Sequence, residues 1–87
     1  MKNWHIVPDI IEVKALENYK LYLKFENGEE KIYDMNALIN KYKMYSRLKD
    51  KEYFKMVKTR GDTVEWKNEE DVAPEELYHN SENIKWN

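Results

Sequence analysis

The chain has 87 residues, of which 41% are hydrophobic and 37% are charged, and its net charge at neutral pH is −2. This length suits one domain with one modest core, and the 14% of aromatic residues exclude disorder along the whole chain. The absence of cysteine excludes disulfides, thiol catalysis and cysteine-ligated zinc. We therefore expect a single domain over residues 1–87.

Membrane insertion is not expected anywhere in the chain. Residues 1–9 lack the apolar run of a signal peptide, and no stretch approaches the roughly 20 apolar residues of a membrane-spanning helix. We therefore expect a soluble, cytoplasmic protein with no membrane partner.

The first third of the chain alternates apolar and polar residues, which is typical of strands with one buried face. This pattern predicts strands over about 9–17, 19–26 and 29–34. The side chains expected to face the core are Ile11, Val13 and Ala15 in the first strand, and Leu21, Leu23 and Phe25 in the second.

Asn27-Gly28 lies between the second and third strands, and this pair predicts a tight hairpin because both residues tolerate a positive φ. We expect Leu23 to pair with Ile32, since this register puts Ile32 on the core side. The same register opposes two pairs of like charge, which diagonal neighbours of opposite sign offset. These pairs are Lys24 with Lys31 and Glu26 with Glu29.

Asp34 and Asp50 are predicted to begin short helices, because an aspartate side chain accepts backbone N–H groups two or three residues further on. The first helix is expected over about 35–42, and the second directly after Asp50. Between them, Tyr45 and Leu48 are expected to anchor an irregular connection to the core.

Gly61 is predicted to turn a second hairpin over about 56–66, and Pro74 to begin a terminal helical turn. The tail over 79–87 is mostly polar, and the pattern allows it either to fray or to dock on the domain. The expected fold class is α+β, with a small antiparallel sheet built from a hairpin or meander, one short helix, a second hairpin and a terminal helical turn.

Charge is distributed unevenly between two consecutive segments. Residues 41–60 carry eight basic and two acidic groups, whereas residues 61–87 carry eight acidic groups and two lysines. We expect the two segments to attract each other, so that folding side by side would compensate much of their charge internally.

Five short motifs follow one another along most of the chain. They are Phe25-Glu26-Asn27-Gly28-Glu29, Asp34, Leu48-Lys49-Asp50 with Phe54, Val64-Glu65-Trp66, and Pro74-Glu75-Glu76-Leu77-Tyr78. In their order and spacing, the chain resembles the bacterial family known as domain of unknown function 2442, over about residues 10–78. The resemblance implies a small α+β fold, and it implies for some relatives a gene arrangement like that of toxin–antitoxin pairs. It assigns no role to any residue.

Residues with the chemistry for catalysis are few and scattered. His5 and His79 have no second histidine at ligand spacing, and Ser46 and Ser81 have no glycine elbow or paired base. We therefore predict no catalytic, cofactor or metal site, and we expect that the protein is not an enzyme.

Two further motifs have ordinary structural interpretations. Glu69-Glu70-Asp71 lacks the spacing of a calcium loop and is predicted to be a solvated loop. Arg60-Gly61-Asp62 matches a tripeptide that integrins bind, but the predicted hairpin needs the glycine in any case. We interpret this tripeptide as a hairpin tip.

The first hypothesis of function depends on two tryptophans. Trp4 and Trp86 lie outside the family-like unit, where an aromatic residue often serves an interface. This favours a non-catalytic protein-interaction module, the antitoxin-like or regulatory member of a two-gene pair. Such a module would bind a small protein partner or a second copy of itself through a strand edge and exposed aromatics.

The alternative is a nucleic-acid-binding accessory domain that uses the basic segment 41–60. Aromatic residues interleave with its basic groups, as on surfaces that neutralise phosphates and stack bases. Against it stand the scarcity of arginine, the negative net charge and the need of a small core for those rings. The candidate contacts are Lys41, Lys43, Arg47, Lys51 and Lys55.

Overall fold

The computed structural model describes residues 7–84, which form six strands and three α-helices. The strands are β1 (Ile10–Leu16), β2 (Lys20–Phe25), β3 (Glu30–Asp34), β4 (Lys58–Arg60), β5 (Thr63–Glu65) and β6 (Glu82–Asn83). The helices are α1 (Asn36–Lys41), α2 (Lys51–Phe54) and α3 (Pro74–His79), and 3₁₀ helices span Glu17–Tyr19 and Lys43–Lys49. The predicted α+β class is confirmed.

Four antiparallel strands form the main sheet, in the order β1-β2-β3-β6, and β4 pairs with β5 in a separate two-stranded sheet. The tail therefore docks as far as the structure describes it. Lys31 lies opposite Asn83, and the Ile84 N–H donates to the Glu30 carbonyl at 3.0 Å. This pairing covers part of the edge that β3 would otherwise expose.

The predicted register of the first hairpin is wrong by one residue. Phe25 and Glu29 pair across a loop of three residues, with the Phe25 N–H donating to the Glu29 carbonyl at 2.9 Å and Gly28 at a φ of 93°. A loop of two residues centred on Asn27-Gly28 would instead oppose Glu26 and Glu29. The extra loop residue sets Leu23 opposite Lys31 and moves Ile32 to the other face of the sheet, opposite Tyr22.

Electrostatics favours the register that forms. Cross-strand neighbours carry opposite charges, Lys24 against Glu30 and Lys20 against Asp34, whereas the predicted register set Lys24 against Lys31. Lys31 instead turns to the core side and is only 7% exposed. Its ammonium group donates to the Tyr78 carbonyl at 2.7 Å, and its aliphatic stem packs as an apolar side chain would.

A bulge in β1 corrects a second prediction. The pairing with β2 shifts by one residue between Ile10 and Glu12, so that Ile10, Val13 and Ala15 share the core side. Ile11 was expected on that side but is 58% exposed, because the bulge turns it outward.

The Asp50 cap is present as predicted, whereas the N-cap position of α1 is Met35, one residue after Asp34. The Asp34 carboxylate accepts the Asn36 N–H at 2.9 Å, and the Asp50 carboxylate accepts the Glu52 N–H at 3.0 Å. Pro74 occupies the first turn of α3, where its missing N–H costs no hydrogen bond. α2 and α3 therefore begin at residues that suit their first turns.

The core lies between the main sheet and the helices with the second hairpin. In that hairpin Gly61 takes a φ of 59°, as predicted for its turn. Trp66 follows β5, is 1% exposed, and donates from Nε1 to the Phe54 carbonyl at 2.9 Å. Each fully buried large apolar side chain contributes about 1.5–3 kcal/mol. These are Trp66, Phe25, Leu21, Leu23, Met35, Leu48, Leu77 and Val64.

Candidate functional site

Some predicted site residues are not covered by the structure. Trp4, Trp86 and His5 lie outside the described residues. The proposed role of the two tryptophans in partner binding therefore stays a prediction.

The residues considered for catalysis do not converge. His79 and Ser46 are exposed, and the Ser81 hydroxyl donates to the Leu77 carbonyl. Within residues 7–84, no three histidine or acidic side chains are grouped so that they could hold a metal ion. The structure therefore does not bring these histidine and serine side chains together.

Glu70 corrects the prediction of a solvated acidic loop. Glu69 and Asp71 are exposed, but Glu70 is 8% exposed and accepts a hydrogen bond from the Tyr53 hydroxyl at 2.6 Å. Its other carboxylate oxygen lies 3.8 Å from Nε of Arg47. A buried carboxylate needs such partners, because an unpaired one would be strongly destabilising.

Ion pairs join the basic segment 41–60 to the acidic segment that follows it. Arg47 pairs with Glu70, and Glu65 pairs with both Lys58 at 3.7 Å and Arg60 at 3.2 Å. The basic side chains of these pairs are more than 60% exposed, so each pair contributes little stability. They do show that the two segments fold side by side, as their charges predict.

The five basic residues singled out from the sequence are all exposed, and four of them line two separate depressions. Lys43 and Arg47 line one depression. Lys51 and Lys55 line another, beside the Glu17–Tyr19 turn. Lys41 stands over the ring of Tyr42, with 5.4 Å between its Nζ and the ring centroid.

Tyr42 and Met44 are exposed apolar side chains close in sequence to Lys41, Lys43 and Arg47. Tyr42 is 44% exposed and Met44 is 61% exposed. We call Lys41, Tyr42, Lys43, Met44 and Arg47 together the basic apolar patch. The aromatic rings of segment 41–60 are predicted to serve the core, and the exposure of Tyr42 corrects that prediction for this residue.

Local backbone geometry explains why these side chains point outward. α1 ends at Lys41, Tyr42 is extended with a φ of −118°, and a 3₁₀ helix follows. Residues three apart share one face of a 3₁₀ helix. Tyr45 and Leu48 therefore face the core together, which leaves Met44 and Arg47 on the outer side. A period of three in this segment would have placed Met44 and Arg47 on the outer side, but it would have placed Tyr42 with Tyr45 and Leu48.

β1 lies at one edge of the main sheet, and the second hairpin packs against it. Among the strands of residues 7–84, β1 pairs with β2 alone in that sheet, and the Ile10 N–H donates to the Gly61 carbonyl at 2.9 Å. The second hairpin and the bulge thus protect the beginning of this edge, whereas Leu16 at its end borders the groove beside α2.

None of the helices between residues 7 and 84 has the length and apolar character needed to cross a membrane.

Comparison with known proteins connects the chain to one family. The family described as protein of unknown function (DUF2442) matches residues 10–83, which is most of the chain. No curated protein and no solved structure matches the chain. The matched region covers the main sheet, the helices, the second hairpin and the basic apolar patch. The chain therefore belongs to the DUF2442 family.

Proposed function

We propose that the protein is a non-catalytic protein-interaction module whose partner docks on the basic apolar patch. The observation that carries this proposal is the exposure of two large apolar side chains, Tyr42 and Met44, among three cations. Such a module would serve as the antitoxin-like or regulatory member of a cytoplasmic two-gene pair.

The composition of the patch supports a protein partner. Tyrosine, methionine and arginine are the residue types enriched at the centres of protein interfaces. Met44 is unbranched and polarisable, so it adapts to the shape of a partner surface. The side chains of Lys41, Lys43 and Arg47 favour a partner that presents acidic groups around an apolar anchor.

The hydroxyl groups of the protein's tyrosines add a second argument. Most of them bond within the fold, as Tyr45 does to the Asp71 carbonyl at 2.7 Å. No such bond of the Tyr42 hydroxyl is present within residues 7–84. A tyrosine with an exposed ring and an unused donor presents both an apolar body and a polar tip to a partner.

Co-expression with the product of the adjacent gene tests the proposal. We expect the two proteins to co-elute, and we expect Tyr42→Ser or Lys43→Glu to reduce the co-eluting fraction. Lys67→Glu is the matched control, because Lys67 is exposed but lies outside the patch. A chain that elutes alone, or a loss that is equal for Lys43→Glu and Lys67→Glu, would contradict the proposal. If light scattering shows a dimer, and the Tyr42→Ser variant is a monomer, the partner is a second copy of the chain.

A nucleic-acid-binding accessory domain is the second candidate. The observation that favours it is the exposed ring of Tyr42 beneath the Lys41 ammonium, since exposed rings beside cations stack bases. Lys43, Arg47, Lys51 and Lys55 would supply the phosphate contacts. The ion pair of Arg47 with Glu70 weighs against it, because a phosphate would have to compete with that carboxylate.

Affinity for a single-stranded oligonucleotide, measured at two salt concentrations, tests this second function. Phosphate contacts predict a steep loss of affinity as salt rises. Substituting Lys43 and Lys51 by Gln should then reduce both the affinity and its salt dependence. Absence of binding at low salt would exclude this function.

A further inference from the structure

A second surface, separate from the basic apolar patch, has the features of a binding site. An open groove of about 630 Å³ lies between the Glu17–Tyr19 turn and α2, and it shares no lining residue with the patch. This volume is in the range of sites that hold small ligands. Ala15, Leu16, Tyr19 and Phe54 give it apolar walls.

The turn that forms one wall is held in an unusual conformation. Asn18 and Tyr19 have φ values of 61° and 60°, and a positive φ is rare for a residue as bulky as tyrosine. The surroundings hold this conformation in place. The Asn36 amide donates to the Asn18 carbonyl at 2.7 Å, and the Met35 N–H donates to the Tyr19 carbonyl at 2.9 Å. Strained backbone that is held this firmly is common at ligand sites.

The ring of Tyr19 is fixed as well. Its hydroxyl donates to the Lys49 carbonyl at 2.5 Å, and its ring meets Phe54 edge to face with 5.4 Å between centroids. The groove is therefore pre-formed, and a ligand would lose little free energy in ordering its walls.

The charge of the groove is positive on the α2 side. Lys51 and Lys55 are four residues apart, and the Lys55 N–H donates to the Lys51 carbonyl at 3.1 Å, so both side chains lie on the same face of this turn. Lys55 lies 3.7 Å from Glu52, but within residues 7–84 no carboxylate lies within 4.0 Å of the Lys51 ammonium. Glu17 is the acidic residue in the lining.

We propose that this groove binds a short segment of a protein partner in which a glutamate or aspartate is flanked by apolar residues. Its carboxylate would lie between Lys51 and Lys55, and an apolar neighbour would cover Leu16, which is 37% exposed. The groove borders the end of β1.

An NMR titration of the full chain with defined peptides tests this site. The probes are acetyl-Leu-Glu-Leu-Glu-amide, its glutamine counterpart, and a ten-nucleotide oligothymidylate. We expect saturable shifts of the backbone amides over 15–19 and 51–55 with the acidic peptide. The glutamine peptide should bind about fivefold more weakly, since two exposed charge pairs are lost.

Matched lysine variants sharpen this test. Lys51→Gln and Lys55→Gln should each weaken binding of the acidic peptide by about twofold to fivefold, whereas Lys67→Gln should leave it unchanged. Retained dispersion of the amide spectrum shows that each variant is folded. Variants with altered patch residues are predicted to bind the acidic peptide normally, so failure here and failure of the proposed function are separate results.

Several results would overturn the proposal. Shifts that do not saturate, equal affinity for the glutamine peptide, or shifts confined to residues 41–47 would each contradict an acidic-peptide groove. Saturable binding of the oligothymidylate that depends on Lys51 and Lys55 would assign the groove to nucleic acid instead.

Discussion

Tyrosines serve opposite purposes in two regions of this molecule. Where α3 packs on the sheet, the Tyr33 hydroxyl donates to Glu76 at 2.7 Å and the Tyr78 hydroxyl donates to Glu29. At the end of α1, the ring of Tyr42 is exposed and no hydrogen bond of its hydroxyl is present in the described chain. The difference teaches which aromatic residues hold the fold together and which are available to a partner.

The two regions also differ in how a lysine lies over a tyrosine ring. Nζ of Lys31 lies 4.0 Å from the centroid of the Tyr78 ring, in addition to the bond with the Tyr78 carbonyl. Lys41 also stands over a tyrosine ring, at 5.4 Å from Tyr42, but both of these side chains are exposed. The same pair of residue types thus joins α3 to β3 in one region and forms an accessible surface in the other.

We expect alkaline pH to lower the free energy of unfolding more than any substitution below, because an ionised tyrosine hydroxyl no longer donates a hydrogen bond within the fold. Burial raises the pKa of Tyr33 and Tyr45 above the usual value near 10, and raises that of Tyr22 to about 12. The unfolded chain therefore loses these protons first. The stability from neutral tyrosines is fully present below about pH 10 and is lost as the pH rises through the folded-state values.

The free energy of unfolding, measured from urea transitions between about pH 8 and pH 11, checks this expectation. It should fall steadily above about pH 10, and the fall should be shallower for Tyr33→Phe. A free energy that stays constant over this interval would contradict the assignment of these hydroxyls to the fold.

Lys31→Ala is expected to give the next largest effect. It removes a buried charged donor and its packed stem, and should lower the free energy of unfolding by about 2–3 kcal/mol. Lys20→Ala is the matched control on the other face of the sheet, with an expected change within about 0.5 kcal/mol. Equal urea midpoints for the two variants would show that the inward position of Lys31 does not contribute to stability.

A pair of conservative substitutions compares the two regions directly. Tyr33→Phe removes the hydroxyl that donates to Glu76, and should cost about 1 kcal/mol of stability. Tyr42→Phe removes a hydroxyl with no bond in the described fold, and should change stability by less than about 0.5 kcal/mol. Thermal unfolding of both variants measures the difference, and a larger loss for Tyr42→Phe would reverse the comparison.

The sequence predicted the existence and type of most elements because local signals determine them. Aspartate caps, the proline of α3 and the glycines of both hairpins each act within a few residues. Register depends on the number of loop residues between paired strands, which Asn27-Gly28 does not specify. The inward position of Lys31 was missed for this reason.

The candidate site was less predictable than the fold. The burial of Glu70 depends on Tyr53 and Arg47, which lie far from it in the chain. The short β6 pairing depends on β3, about fifty residues earlier. Met44 is exposed because it lies on the outer side of a 3₁₀ helix, and no apolar period of 3.6 or 2 indicates that structure. Tyr42 directly precedes this helix.

The most direct test of the central claim compares two methionines. Met44 in the basic apolar patch and Met56 outside it are 61% and 51% exposed. Replacing either by Ser should change stability by less than about 0.5 kcal/mol. By calorimetric titration with the co-eluting partner, Met44→Ser should weaken binding about tenfold, whereas Met56→Ser should stay within about twofold of the parent chain. Equal affinities of the two variants would contradict a partner site at the basic apolar patch.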